Sequence, residues 1–590
     1  MSNAPIAFYQ SQLKDCKNEI KHFKNRSLLL SLSRLVLFLG SVFGVYFLSS
    51  KPYIALIVGV VGAICFFLIL NWYLKVKNSQ NFWQKKADII NAELLFLQGD
   101  YSVFENGEEF KDKAHFFSTD IDVFGEASFF QYINRTSIKE SKSQLAEIIS
   151  ANNISDIEKK QNAIQELSSA KEWRLNFSTN AGLVEQTISH QVVFDWLANY
   201  QSFIPKYILV LSRLFSLASV VAFVAYASNI SSYMPLAIVF FSGLFISSFF
   251  VKKINKASAH LTELKSVFSN YSRLIQLIED RQFQSENCRN KKANIGNNHE
   301  ASKAVIRLSK YLSALDQRNN ILFAVFGNAF LLWDCTQIYK IENWIDCNRD
   351  FVKNWFKTIT WFEAQNSLAN FHFNHPTFVF PEIRTDSDSQ MDAKQLGHFF
   401  IKDEKRICND FEINVNGFSI ITGSNMAGKS TFLRTVALAV VSANIGLPVC
   451  ASHFKYKPIK LITSMRNTDS LKDDSSYFFA ELVRLKVVVD SVEKEPHFII
   501  LDEILKGTNS KDKEEGSIKL MERLSKTSAG GLIATHDLAL CAIEQEISNI
   551  KNQYFDAEIE NNELRFDYTL KEGVCKNMNA SFLLKKMQIV

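Results

Sequence analysis

Gly423-Ser424-Asn425-Met426-Ala427-Gly428-Lys429-Ser430 fits the pattern G-x-x-x-x-G-K-[ST]. In such a loop the backbone N–H groups and the positive end of a following helix meet a polyphosphate. Lys429 would reach the β/γ-phosphates, and the Ser430 hydroxyl would hold Mg2+. Further along, His497-Phe498-Ile499-Ile500-Leu501-Asp502-Glu503 is an apolar run ending in two carboxylates. Asp502 can bind Mg2+ through Ser430 and water, and Glu503 can orient or deprotonate an attacking water. Gly531-Leu532-Ile533-Ala534-Thr535 leads to His536, which could sense a γ-phosphate. Ser475 and Ser476 precede a helical stretch from Tyr477 to Glu481. Two hydroxyls there are an N-cap, and they could equally present a helix N-terminus to a phosphate.

The elements that must hold these groups are legible on both sides. Phe418-Ser419-Ile420-Ile421-Thr422 reads as a strand entering the loop, and Thr431 to Val441, without Pro or Gly, reads as a helix leaving it. The two later runs read as further strands of the same α/β sheet. At 590 residues the chain has room for several domains, and 47% hydrophobic with 22% charged residues indicates packed structure throughout. A net charge of +5 is too mild to argue for nucleic acid by itself. The nine cysteines form no C-x-x-C pair, which indicates neither a zinc site nor a disulfide framework but reduced cytosolic thiols.

Upstream, the chain carries two pairs of apolar runs. Leu28 to Ser50 and Tyr53 to Leu74 are separated by Lys51-Pro52; Ile208 to Ala227 and Met234 to Val251 are separated by an uncharged link. Each is near the roughly 20 residues that span a bilayer. Arg34 can snorkel towards headgroups. No small-residue cleavage site follows the first run, so it reads as an anchor. Basic residues crowd the outer ends of both hairpins, whereas the links hold only Lys51, which orients the termini and the intervening segment to the cytoplasm. Ile321 to Trp333, bounded by Arg318 and Asp334, is too short to span and is expected to be a buried core helix. Lys139 to Ile149, Ile157 to Leu167 and His260 to Ile278 are expected as amphipathic helices. Asn287 to Asn298 is expected as a loop, and Thr385 to Lys394 as a polar linker.

Taken together, Gly423 to Thr431 resembles the G-P-N-M-G-G-K-S-T loop of the MutS family of DNA mismatch-repair ATPases. Leu501-Asp502-Glu503-Ile504 with Gly507-Thr508 resembles that family's D-E-I-x-x-G-T motif, Ala534-Thr535-His536 its A-T-H, and Ser476 to Glu481 its S-T-F-x-x-E signature with Tyr477 for Thr. Leu396-Gly397-His398 and Asn409-Asp410 resemble the approach to the loop. Phe124-Gly125, Asn134-Arg135-Thr136, Leu145, Gln161, Ala163-Ile164 and Leu167 resemble the start of the lever domain. The resemblance implies binding of ATP and Mg2+, ATP hydrolysis, DNA as a partner, and a homodimer in which Ser475 and Ser476 reach the other chain's nucleotide. Ser424 stands where the family has Pro, and Leu505-Lys506 replaces Gly-Arg. No mismatch-reading domain with its Phe-x-Glu wedge, no connector and no room for C-terminal dimerisation helices after Asn579-Ala580-Ser581 are recognisable.

The expected fold is an α/β phosphate-loop ATPase domain of MutS/ABC-like type behind a mostly α-helical lever and core, with four transmembrane helices in two hairpins. Its divisions are a basic cytoplasmic tail (1–27), hairpin 1 (28–77), a helical core segment (78–204), hairpin 2 (205–254), a helical lever segment (255–384) and the ATPase domain (385–590). The expected protein is a multi-pass cell-membrane ATPase, its ATPase domain cytoplasmic, coupled to mismatched or structured DNA in repair. Two other classes fit less of the chain. An ABC-type exporter lacks its L-S-G-G-Q signature here, and its spans would hold more ionisable residues than Arg34 and Arg213. An ATP-switched membrane scaffold would need no DNA.

Overall fold

A computed structural model describes residues 3–184, 189–296, 300–424, 426–465, 477–505, 508–560 and 563–575. Apart from Pro5 and Pro52 in the first turns, no Pro interrupts the first two apolar stretches or their polar flanks. α1 (Asn3–Phe47) and α2 (Pro52–Leu97) therefore pair as one long hairpin, with Pro52 at a first helical turn where its missing N–H costs nothing. The expected basic tail is part of α1. Its Tyr9 and Cys16 are buried in the helical core, which α3 (Phe129–Ile133), α4 (Lys139–Ser150), α5 (Ile157–Ser169), α6 (Lys171–Ala181) and α7 (His190–Asn199) help to build.

α8 (Ile208–Ala227) and α9 (Met234–Asp280) form the second hairpin. Among the described residues, four helices, α1, α2, α8 and α9, contain stretches long and apolar enough to cross a membrane. Phe43, Phe67, Phe223 and Phe241 on them are each more than half exposed, an apolar surface of the kind that marks a contact with protein or membrane. α10 (Glu286–Ala293) occupies most of the stretch expected as a loop. Its polar sequence is helical because Cys288 is buried and Lys292 Nζ donates to the Glu279 and Arg281 carbonyls at 2.7 Å. α11 (Glu300–Leu315) then packs along α9.

The expectation of a buried core helix over Ile321–Trp333 is overturned. α12 (Ile321–Leu331) buries Gly327, Asn328 and Ala329, but Ile321, Leu322 and Phe326 are exposed. It lies against the second hairpin instead of the soluble core. Ser219 Oγ donates to the Phe330 carbonyl at 2.8 Å, and the Phe240 ring packs on Phe326 and Phe330. Gly243 approaches so closely that a Cβ there would stand 2.1 Å from the Ala329 oxygen. A short apolar run suits any apolar surroundings, and neighbours far along the chain decide which.

At Leu332 (φ +48°) the chain bends by 81° into α13 (Trp333–Asn374). Arg318 braces the bend, donating to Asp334 at 3.0 Å and to Ser258 and Asn255 on α9. The 42 residues of α13 extend about 63 Å at about 1.5 Å per residue. Ile338, Ile341, Ile345, Phe356, Ile359 and Phe362 are fully buried along it, at helical spacing.

Two sheets follow. β1 (Glu382–Ile383), β2 (Ser389–Leu396), β3 (Asn409–Asn414) and, further along the chain, β5 (His453–Tyr456) form a small four-stranded sheet in the order β1-β5-β2-β3. The expected linker 385–394 thus ends within β2, whose Met391, Ala393 and Leu396 are buried between polar residues. β4 (Phe418–Gly423), α14 (Lys429–Asn444), β5 (His453–Tyr456), β6 (Lys460–Ser464), α15 (Tyr477–Val492), β7 (His497–Asp502), α16 (Ser510–Leu524), β8 (Gly530–Ala534), β9 (Ile550–Glu560) and β10 (Glu563–Glu572) complete the domain. Its main sheet runs β10-β9-β4-β8-β7-β6, parallel except for β10. The β6 edge is covered by the helical core: Thr463 N–H donates to the Phe116 carbonyl at 2.9 Å, and Leu461 exchanges two 2.9 Å bonds with the Asn152 amide.

Gly243→Ala should lower stability by about 1–3 kcal/mol, because the backbone of α12 must move to admit one methyl. Gly40→Ala, with nothing within 4 Å of its added Cβ, should leave the unfolding midpoint unchanged or slightly raised. Thermal unfolding of the detergent-purified variants measures both.

Candidate nucleotide site

Three neighbouring parallel strands end level with one another. Ala534 on β8 pairs with Ile421 on β4 from one side and with Asp502 on β7 from the other. Gly423, Asp502-Glu503 and Thr535-His536 consequently converge beyond the carboxyl ends of the sheet, where open α/β folds bind ligands.

The loop leaving β4 turns through Met426 (φ +70°) and Gly428 (φ +101°) before α14 begins at Lys429. At Gly428 an added Cβ would also meet the Tyr568 ring at 3.1 Å. Lys429 is buried, and its Nζ donates to the Gly423 and Ser424 carbonyls at 2.8 and 3.0 Å. Burial lowers its pKa, while Glu503 and Asp502 pull the other way. Ser430 Oγ donates to Asp502 Oδ2 at 2.7 Å.

His536 Nε2 lies 2.9 Å from Glu503 Oε1 and 3.3 Å from Lys429 Nζ. One ring nitrogen thus faces an ammonium and a carboxylate. Protonated there it donates to Glu503, and deprotonated it accepts from Lys429. Glu503 (φ +53°) and Leu505 (φ +59°) both adopt left-handed backbone, which costs of order 1–3 kcal/mol each. Their conformation is held by Glu503 N–H donating to the Ala534 carbonyl at 2.9 Å and by Leu505 N–H donating to Glu481 Oε1 at 2.5 Å. The Glu481 of the helix that follows the paired serines therefore shapes the acidic turn.

These groups fit a magnesium nucleotide. The Ser424 hydroxyl is shielded from solvent with no hydrogen-bond partner among the described residues, and Lys429 turns back on its own loop; both call for acceptor oxygens. Mg2+ takes one or two protein oxygens plus phosphate and water, which the Ser430–Asp502 pair can supply. Beside the loop opens a cavity of about 510 Å3 walled by Ile407, Phe432, Phe555 and Tyr568, with His398 at its margin. That volume lies in the roughly 300–1,000 Å3 range of small-molecule sites. Burial, with Arg434 and Arg406 nearby, lowers the pKa of His398 to about 4, so its ring is neutral at physiological pH.

The structure thus brings Gly423, Ser424, Met426, Ala427, Gly428, Lys429, Ser430, Thr431, Asp502, Glu503 and His536 to one edge. Asn425, Ser475, Ser476 and Gly507 lie outside the described residues. The cavity walls Ile407, Phe432, Phe555 and Tyr568 were missed by sequence reasoning. They come from segments far apart in the chain, and no local pattern marks them.

MutS domain V matches residues 419–586. Over these residues the chain carries a domain of the MutS family. Similar proteins include MutS protein homolog 4 of Homo sapiens, 29% identical over 218 residues, covering 35% of this chain and 23% of that protein. The DNA mismatch repair protein MutS of Persephonella marina is 34% identical over 168 residues, 28% of this chain and 19% of its own length. That of Methanosarcina barkeri is 32% identical over 164 residues, 27% and 18% respectively. The chain covers between 18% and 23% of the length of these MutS relatives.

Tyr568→Ala should weaken adenine-nucleotide binding by about 1–2 kcal/mol, as loss of one base-stacking ring does, or roughly 5- to 30-fold. Titration with a fluorescent ATP analogue checks this, and an unchanged Kd would remove Tyr568 from the site.

Proposed function

We propose that this MutS-family chain is a membrane-anchored, Mg2+-dependent ATPase whose nucleotide state alters its interaction with DNA. The observation that carries the ATPase reading is the convergence of Lys429, the Ser430–Asp502 pair and the Glu503–His536 pair at the carboxyl edge of one sheet. Bound ATP supplies the phosphoanhydride that is split. Lys429 exchanges its loop carbonyls for phosphate oxygens, and Ser430 with Asp502 holds Mg2+. Glu503 orients a water and takes its proton, while His536 holds the carboxylate in place and is free to respond to the γ-phosphate. The loop from Gly423 to Thr431 cradles the phosphates, Asn425 included. Ser475 and Ser476 act across a homodimer, so that ATP binding closes the interface.

Membrane anchoring rests on the four apolar helices and their exposed aromatic faces. Ser219 and Gly243, the residues that seat α12, fall near the middle of the apolar stretches of α8 and α9. In a bilayer α12 is therefore a re-entrant element at mid-depth, and α13 joins it to the cytoplasmic ATPase domain. DNA binding rests on the relatives named for mismatch repair, and a role in repair follows the same line. A membrane scaffold without DNA is the second reading, favoured by a family match confined to residues 419–586.

Lys429→Ala should abolish nucleotide binding. Glu503→Gln should bind ATP normally but turn over at least about 100-fold more slowly, the usual loss of a positioned base. Phosphate release by the purified protein tests both, and an unchanged rate for Glu503→Gln would end its assignment. A cysteine introduced at Ser231 should react with a membrane-impermeant reagent on intact cells, while cysteines at Ser155 and Ser510 should not. Labelling of either of the latter two would overturn the four-span arrangement.

A further inference from the structure

Away from the nucleotide site, α1, α2, α6 and α13 enclose a cavity of about 240 Å3. On its wall the Arg135 guanidinium donates to Glu93 at 2.6 Å, both side chains being more than nine-tenths buried. The Asn370 and Asn374 amides also donate to Glu93, at 2.8 and 2.9 Å. The carboxylate is thus fully engaged. A second guanidinium, Arg174, is 3% exposed; it donates to the Leu167 and Ser168 carbonyls at 2.9 Å and stands over the Phe373 ring at 5.0 Å. Arginine does not shed its proton, and the neighbouring Tyr9 phenol is neutral at physiological pH. Two buried cations therefore share one buried anion, and an uncompensated buried charge is among the costliest features a fold can carry.

The rim deepens the imbalance. Lys85 and Lys171 border the cavity, and Glu105, the one rim carboxylate among the described residues, is already bound by Lys142. Asn366 borders it too. That side chain is 2% exposed, and neither its amide nitrogen nor its oxygen has a partner among the described residues. Water can fill a space many times the size of one molecule and satisfy an amide, but it brings no negative charge.

We propose that this cavity is a binding site for a small oxyanion, a phosphate- or carboxylate-bearing molecule, held by Arg174, Lys85, Lys171 and the Asn366 amide. The elements it touches give it a role. α1 and α2 continue into the first hairpin, and α13 leads to the ATPase domain, so the anion clasps hairpin to lever. Binding stabilises that joint by an amount that grows with the logarithm of ligand concentration above the Kd, and makes its stiffness responsive to the level of a cytoplasmic metabolite.

The site is independent of ATP hydrolysis and is tested in the full-length Lys429→Ala chain, whose phosphate loop is disabled. Unfolding of the detergent-purified protein is followed with inorganic phosphate or malonate as probe, against chloride at matched ionic strength. At least one probe should raise the midpoint from millimolar concentration upward, the rise growing with the logarithm of concentration, and the two arms tell phosphate from carboxylate. Lys85→Gln with Lys171→Gln should weaken that response at least tenfold without moving the ligand-free midpoint. Asn366→Leu, which removes the orphan amide at similar volume, should do the same to the response. No rise beyond the chloride control with either probe, or a rise undiminished in both variants, overturns the proposal.

Discussion

The arrangement depends on the register of three parallel strands. β4, β8 and β7 end level, and that alone brings a phosphate loop, two carboxylates and a histidine within bonding distance. A slip of one residue would displace a strand end by about 3.3 Å, enough to break the 2.7 Å Ser430–Asp502 bond. Slippage is opposed from both faces. Ile420, Ile533 and Leu501 enter one core, while Ile421, Leu532 and Ile500 enter another, so a shift would reverse every buried side chain. Thr535 N–H donating to the Ile421 carbonyl at 3.0 Å, and Glu503 N–H to the Ala534 carbonyl at 2.9 Å, carry the alignment past the strand ends into the reacting groups.

The second of those cores does not stop at the sheet. It continues through Phe399, Phe371 and Phe362 to Ile90 of α2 and Tyr9 of α1. The nucleotide edge, the lever and the base of the first hairpin are thus one packed body. His375, where α13 ends, is part of the joint. Tyr132 Oη and His375 Nε2 lie 2.8 Å apart, and burial above all lowers the histidine's pKa to about 4, so that the contact stays one between neutral groups. At its other end α13 bends into α12, which is seated on the second hairpin through Gly243 and Ser219. Both hairpins are therefore mechanically connected to the same long helix.

Residues marked by a local pattern were legible, and those marked only by neighbours distant in the chain were not. Lys429 and Ser430 follow a strand and open a helix within a single local motif, so glycine spacing alone reveals them. Asp502 and His536 were readable because each ends an apolar strand. α12 was not, since a short apolar run is compatible with a soluble core or with an apolar hairpin, and Gly243 lies 78 residues before its first residue, Ile321. α10 was misread because a helix with one buried residue, Cys288, has the composition of a loop. β2 was misread because its three buried apolar residues alternate with polar ones too sparsely to stand out. Ile407, Phe432, Phe555 and Tyr568 meet only in the folded domain, and no spacing announces a wall built from separate strands and a helix.

The most direct test is ATP turnover by the full-length protein reconstituted in vesicles, with Mg2+ or with chelator, in the absence and presence of homoduplex, mismatched and branched DNA. The account predicts Mg2+-dependent phosphate release that changes when DNA is added, with little preference for a single mismatch over homoduplex. Absence of turnover under every condition, from protein shown to be folded, would contradict it.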